Sequence, residues 1–265
     1  MISLTVNNSK IPNIDTVLFD KDGTFIDLHY FWGKMTTMRC DEIIQTYSLP
    51  VSVHHELCLC LGYDTKTQKM LKDGITALYS RPKIIEIFRS DLKKYGVNAT
   101  QQEIEKIFDH ISSVFYKNMQ TYTKPIDSAV EFFKTLAQSN LKLGIVTSDS
   151  VESTQLTLKH FGWEKYFGAV IGRESSDAHK ESGIPAKMAL EILQSNPTNT
   201  VMIGDAPMDY LAAKNADITT TILVATGQIE REELQQHSPY AVNTLNEVYI
   251  LSLIHISEPT RLLSI

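Results

Sequence analysis

The sequence predicts an α/β protein built on a doubly wound parallel sheet, with a helical module inserted after the first sheet strand. Three observations predict it. Short apolar, β-branched runs recur along the chain, and several end at an acid or a hydroxyl. Helix-like periodicity lies between those runs, the alternation expected of βα units. Residues 28 to about 124 break the alternation with consecutive helical patterns.

The strands come first. Thr16 to Phe19 is apolar and ends at Asp20. Its length and β-branched content suit a parallel strand buried on both faces. Leu141 to Thr147 reads the same way and ends at Ser148-Asp149. Ala169 to Gly172, Thr200 to Gly204 and Thr221 to Val224 complete the set, the fourth ending at Asp205. Between them, Ser128 with Glu131 reads as a capping box ahead of Phe132, Phe133 and Leu136. Val151 to Phe161, Ala186 to Leu193 just after Pro185, and Met208 to Asn215 read as helices.

Inside the insertion, Tyr30 to Tyr47 is expected to be helical. Ser80-Arg81-Pro82 opens a second helix, with Ile84, Ile85, Phe88 and Leu92 on one face. Thr100 and Glu103 form a capping box, followed by Ile104, Ile107, Phe108, Ile111 and Phe115 at helical spacing. The aromatic stripe Phe108, Phe115 and Tyr122 is expected in the core rather than on a binding surface.

Composition bounds the function. The 265 residues are 43% hydrophobic and 21% charged, ordinary for a globular chain. A net charge of −6 without a basic stripe speaks against a nucleic-acid partner, while a small anionic substrate stays allowed. Cys40, Cys58 and Cys60 lack the spacing of a disulfide framework or a zinc site and are expected to be reduced thiols. Neither a secretory leader at Met1 to Asn13 nor an apolar run of the ~20 residues a membrane span needs is visible, so no membrane partner and a cytoplasmic location are expected. Leu251-Ser-Leu-Ile-His-Ile-Ser-Glu-Pro-Thr-Arg261 resembles the translation of a transposase adapter used in sequencing libraries. Residues 251–265 are therefore expected to be a non-native tail, set aside when reading the fold.

The chemistry concentrates at strand ends. Along an extended segment, residues two apart point the same way, so Asp20 and Asp22 are expected to face one pocket, with Gly23 turning the backbone away. In open α/β sheets ligands bind at the carboxyl edge of the strands. Two adjacent carboxylates repel, and a hard cation such as magnesium relieves this. A plain Asp-Gly turn remains an alternative. A calcium loop fits less well, because it requires Asp or Asn where Thr24 stands. Gly204-Asp205-Ala-Pro-Met-Asp209 supplies two further carboxylates after another apolar strand, although Asp209 also suits the first turn of a helix. Thr147-Ser148-Asp149 offers hydroxyl and backbone donors for phosphate oxygens. A lysine ahead of the Pro185 helix would offset the negative charge.

These segments together, Val17-Leu-Phe-Asp20-x-Asp22-Gly-Thr24, the Thr147-Ser148 strand end, a lysine, and Gly204-Asp205-x-x-x-Asp209, resemble the four ordered motifs of the haloacid-dehalogenase-like hydrolases. The resemblance covers residues 14 to about 245 and is nearest the phosphoglycolate-phosphatase-like branch. It implies a Rossmann-like core of residues 14–27 and 125–250 with an α-helical cap of residues 28–124. It implies that Asp20 attacks phosphorus, that Asp22 acts as acid and then base, and that Thr147 and a lysine hold the phosphoryl group. Gly23, Thr24, Ser148 and Asp149 would border the phosphate. Asp20, Asp205, Asp209 and the Asp22 carbonyl would make up a magnesium site and its support. The branch usually shows Lys-Pro-x-Pro at the lysine. Here the choice lies between Lys180, twenty-five residues before Asp205, and Lys187. Lys180 fits the family spacing without a gap.

The expected activity is hydrolysis of a small phosphorylated metabolite, phosphoglycolate-like or a sugar phosphate. Alternatives are phosphoryl transfer of the beta-phosphoglucomutase type and a non-catalytic binding protein on the same scaffold. A dehalogenase is disfavoured by Asp22. His54 and His55 are expected to be exposed rather than metal-binding. Lys66, Lys69, Lys72 and Arg81 are candidates for reaching an anionic substrate, with a solvated face as the plainer reading.

Overall fold

The structure is a computed structural model that describes residues 2–251. The adapter-like tail, apart from Leu251, lies outside the described residues. The chain opens with a hairpin, β1 (Ile2–Val6) and β2 (Ser9–Ile14), that the motif reading did not anticipate. Asn7 and Asn8 turn it, with φ of 49° and 62°. Asn tolerates this left-handed region, and two such residues in sequence match the twist of a tight hairpin. Ile2, Leu4, Val6, Ile11 and Ile14 are buried against the main core.

β3 (Thr16–Phe19) is wholly buried. The helices that follow are α1 (Leu28–Thr46) and α2 (His54–Cys60). A two-stranded hairpin, β4 (Tyr63–Asp64) with β5 (Lys69–Met70), interrupts the helical run. Asp64 Oδ1 accepts from the amides of Lys66 (2.8 Å) and Thr67 (3.4 Å), a local turn that competes with helix. Next come α3 (Ile75–Leu78), α4 (Arg81–Leu92), α5 (Gln101–Lys117) and α6 (Met119–Tyr122). The capping box at Thr100 and Glu103 is formed, and Ile84, Ile85, Phe88 and Leu92 are buried as their spacing predicts. Phe108 and Phe115 are core residues. These helices close around a second apolar cluster containing Ile43, Leu57, Phe88 and Phe108.

The chain then returns through α7 (Asp127–Gln138), β6 (Lys142–Val146), α8 (Val151–Phe161), β7 (Ala169–Ile171) and α9 (Ile184–Leu193). It finishes with β8 (Thr200–Gly204), α10 (Pro207–Asn215), β9 (Thr220–Val224), α11 (Arg231–Leu234), β10 (Ala241–Val242) and β11 (Val248–Leu251). The parallel sheet runs β10-β9-β8-β3-β6-β7, and β11-β1-β2 forms a separate antiparallel sheet. β3 is central, with Phe19 level with Ile145 on one side and Ile203 on the other.

One capping expectation fails. α7 begins at Asp127, and Ser128 lies inside the helix instead of capping it. The cause is tertiary: the Asp27 amide donates to Lys124 O (2.8 Å) and the Ile126 amide to Phe25 O (2.9 Å). The two strands of chain joining sheet and inserted helices thus bond to each other, which fixes where α7 can start. His54 and His55 are half-buried rather than exposed. His54 lies 3.2 Å from Asp41, and His55 Nδ1 meets Thr65 Oγ1 at 2.6 Å, so each ring already has its own partner. All three cysteines are free thiols. Among the described residues no helix is long and apolar enough to cross a membrane.

Candidate active site

Asp20 follows the last residue of β3, and its amide continues the ladder by donating to Ile203 O at 2.8 Å. The chain then turns at once. The amides of Thr24, Phe25 and Ile26 all donate to the Lys21 carbonyl, at 3.3, 3.0 and 3.0 Å. Gly23 sits at φ +91°, and a Cβ there would strike the Asp205 carboxylate. Gly23 is therefore required twice, by backbone conformation and by close approach.

β8 delivers Asp205 beside Asp20. Asp209 lies in the first turn of α10, where its Oδ2 accepts from the Ala206 amide at 3.0 Å. Asp20, Asp205 and Asp209 each offer a carboxylate oxygen, and these oxygens all lie within 4.8 Å of one another in a buried cluster. Lys180 Nζ reaches both Asp20 Oδ1 (2.5 Å) and Asp209 Oδ1 (2.6 Å). Lys187 is exposed and pairs with Asp217 at 3.2 Å, away from the cluster. Of the two lysines, the structure brings Lys180 to the carboxylates. A short 3-10 turn at Lys180–Ser182 places it. The Ser182 hydroxyl donates to His179 O (2.6 Å) and Asn215 Nδ2 to Glu181 O (2.6 Å), holding the turn in the absence of the usual prolines.

Three carboxylates face one ammonium, an excess of two negative charges when all are ionised. Burial and the charges of Asp20 and Asp209 push the Asp205 carboxyl well above the usual range. Burial also raises Asp209 to about 6, although Lys180 opposes the shift. Burial alone would lower the Lys180 ammonium, but Asp20 and Asp209 outweigh it and raise it. An all-oxygen set with two uncompensated charges fits a hard divalent cation such as magnesium.

The remaining motif residues divide. Asp22 does not join the cluster. Its carboxylate pairs with Lys21 Nζ instead, although it stays near enough to Asp20 and Asp205 for their charges to act on one another. Burial raises Asp22 to about 6. Thr24 is fully buried and its Oγ1 lies 3.3 Å from Asp205 Oδ1, where it steadies that carboxylate. Thr147 is buried at the end of β6, and its Oγ1 accepts from the Asp149 amide at 3.1 Å. Ser148 is exposed at the same edge. Asp149 is buried beside Thr147 and is held from two sides. Its amide is taken by Thr147 and its carboxylate lies 3.1 Å from Lys21 Nζ. Burial pushes the Asp149 carboxyl up, but Lys21 and nearby donors outweigh this and hold it low.

Sequence reasoning missed Lys21 and Thr226. Thr226 Oγ1 donates to Gly23 O at 2.5 Å, and a Cβ on Gly227 would strike Asp205. A Thr-Gly pair just past a sheet strand was the available signal. Of the cap cations, Lys72 pairs with Glu233 (2.5 Å) and Arg81 with Asp109 (2.5 Å), while Lys66 and Lys69 are exposed.

The raised carboxyls have a measurable consequence. Asp22 and Asp209 hold protons to about 6 in the folded chain against 3.8 for the free side chain, and Asp205 is also raised. Their stabilising contribution is full below 3.8 and is lost as pH rises through the folded value. Asp149, held low, acts in the opposite sense, but its contribution is already complete by about pH 5. The melting temperature of EDTA-treated protein is therefore expected to fall between about pH 5 and about pH 7. Scanning calorimetry across that window checks this; a rise would contradict it.

A family model for haloacid dehalogenase-like hydrolases matches residues 14–217. The chain is 28% identical over 231 residues to a protein named pyrophosphatase PpaX from Listeria innocua, covering 85% of this chain and 90% of that one. It is 30% identical over 155 residues to a phosphoglycolate phosphatase from Psychrobacter arcticus, covering 58% of this chain and 64% of that one. A crystal structure of a HAD-superfamily hydrolase, subfamily IA, from Geobacter sulfurreducens superposes with a TM-score of 0.62 at 16% identity, covering 89% and 94% of the two chains, a likeness of fold. With a doubly wound sheet, an inserted helical segment and a family match over most of its length, this chain belongs to the haloacid dehalogenase-like hydrolases.

Proposed function

We propose that the protein is a magnesium-dependent phosphatase that hydrolyses a small phosphorylated metabolite through an aspartyl-phosphate on Asp20. The observation that carries the proposal is the Asp20 carboxylate, held at 2.5 Å by Lys180 beside Asp205 and Asp209. The relatives named as phosphatase and pyrophosphatase support the reaction class.

In this reading Lys180 holds one oxygen of Asp20, leaving the other to attack phosphorus in line with the ester oxygen. Asp22 gives its proton to the ester oxygen as the P–O bond breaks and its electron pair goes to that oxygen. Asp22 then takes a proton from the water that attacks phosphorus, and Asp20 leaves as a carboxylate. A carboxyl raised to about 6 suits both duties near neutral pH. Thr147 and Ser148, with backbone donors at the β6 edge, would hold the phosphoryl oxygens. Gly23 and Thr24 shape the floor of the site through Asp205. Asp20, Asp205, Asp209 and the Asp22 main-chain carbonyl would hold or support magnesium, which when bound neutralises phosphate charge as a Lewis acid. Residues 14–27 and 125–250 would act as the catalytic core, with residues 28–124 as the cap that covers it. A cytoplasmic location fits a metabolite substrate.

Phosphate release from a panel including phosphoglycolate, sugar phosphates and inorganic pyrophosphate tests the proposal. EDTA is expected to reduce turnover by at least about 10³-fold, and excess magnesium to restore it. Full activity in EDTA would remove the metal role. Isomer formation without phosphate release would replace hydrolysis with mutase chemistry.

A further inference from the structure

Lys21 has a place in the site that neither the phosphate nor the carboxylate cluster explains. Its side chain is fully buried, which for an ammonium is costly unless it is paired. It is paired twice, with Asp22 Oδ1 and with Asp149 Oδ2 at 3.1 Å. It also lies 5.0 Å from the centroid of the Phe31 ring, a cation–π contact with α1. Asp149 is fixed in turn, because its Oδ1 accepts from the Ser150 amide at 2.7 Å at the start of α8. A rigid chain of contacts therefore runs from α8 through Asp149 and Lys21 to Asp22. Burial of the ammonium opposes its charge, but the two carboxylates outweigh this and keep it protonated.

We propose that Lys21 is a positioning residue that orients the Asp22 carboxyl for proton transfer to the leaving group, using Asp149 as its anchor and the Phe31 ring as its wall. Lys21 occupies Oδ1 of Asp22, and among the described residues Oδ2 accepts no hydrogen bond. The transferable proton is thereby confined to Oδ2, the oxygen left to face the ester. Phe31 ties this arrangement to the inserted helices, so the wall of the acid–base group comes from the cap side of the molecule.

The inference rests on the phosphatase reading above and makes a separate prediction. An alkyl phosphate needs its leaving oxygen protonated as the P–O bond breaks, whereas p-nitrophenyl phosphate expels a stable phenolate with little help. In magnesium, Lys21→Met is expected to lower kcat/KM for the fastest alkyl phosphate of the panel by about 10²-fold. For p-nitrophenyl phosphate the fall is expected to stay under about fivefold. In an Asp22→Asn background, Lys21→Met is expected to change the alkyl rate by less than about threefold, because the group it orients is already gone. Asp149→Asn, which leaves the Lys21–Asp22 pair but loosens its anchor, is expected to show the same substrate selectivity with a smaller loss. Circular dichroism accompanies each variant, and Asp149→Asn carries the test if Lys21→Met does not fold. An equal loss on both substrates, or additive effects in the double variant, overturns the role of Lys21 while leaving the phosphatase reading intact. If the wild-type chain releases no phosphate from any ester, both fall together.

Discussion

Asp20→Asn is expected to lower kcat by about 10⁴-fold or more while the chain remains folded. Asn keeps the shape of the side chain but replaces the attacking carboxylate oxygen with a neutral amide. It can still accept from Lys180, whose Nζ lies 2.5 Å from Asp20 Oδ1. The substitution also removes one of three crowded negative charges. The charge of Asp20 raises both Asp205 and Asp209. The metal-free variant is therefore expected to melt at or above the wild-type temperature, the sign opposite to that of a disrupted core. Steady-state kinetics on protein verified by mass spectrometry, with calorimetry in EDTA, measures both. Turnover within about 100-fold of wild type would exclude Asp20 as the covalent nucleophile.

Lys180→Ala and Lys187→Ala are expected to behave very differently. Lys180 is buried between Asp20 and Asp209, so its loss leaves carboxylates buried without their partner. Breaking such a pair costs about 3–5 kcal/mol of stability, and losing the charge that steadies a transferring phosphoryl group lowers kcat by about 10²–10³-fold. Lys187 is exposed, and its pairing with Asp217 is a surface one. Its removal is expected to change stability by less than about 0.5 kcal/mol and activity by less than about twofold. Denaturant unfolding and initial rates of the two variants provide the comparison. The reverse ranking would move the phosphate-binding role to Lys187.

The parts of the fold that were legible in the sequence share a physical property. A strand buried on both faces must be apolar along its whole length, so β3, β6, β7, β8 and β9 stand out as continuous runs. β10 has two residues and leaves no run to see. β1 and β2 were open to reading through their Asn7-Asn8 turn, but β11 joins β1 from the far end of the chain, and no local pattern announces that pairing. Ser128 carried a sound capping pattern. It was overruled because Pro125 and Ile126 are held by bonds to Phe25 and Ile26, a contact between segments a hundred residues apart in sequence.

By itself the sequence determined five of the six strands of the parallel sheet, helices between them, and the places of Asp20, Asp205 and Asp209 along the chain. Each of those acids stands where a strand ends or a helix begins, so its position follows from short-range pattern. Only the tertiary structure decided which charges meet. It set Lys180, the lysine that the family spacing already favoured over Lys187, against Asp20 and Asp209, and it paired Lys21 with both Asp22 and Asp149. The reason is that a buried charge is stable only beside its counter-charge. The partners here are brought together by the turn at Lys21 and by a contact spanning 160 residues of chain between Lys180 and Asp20, which no local spacing encodes.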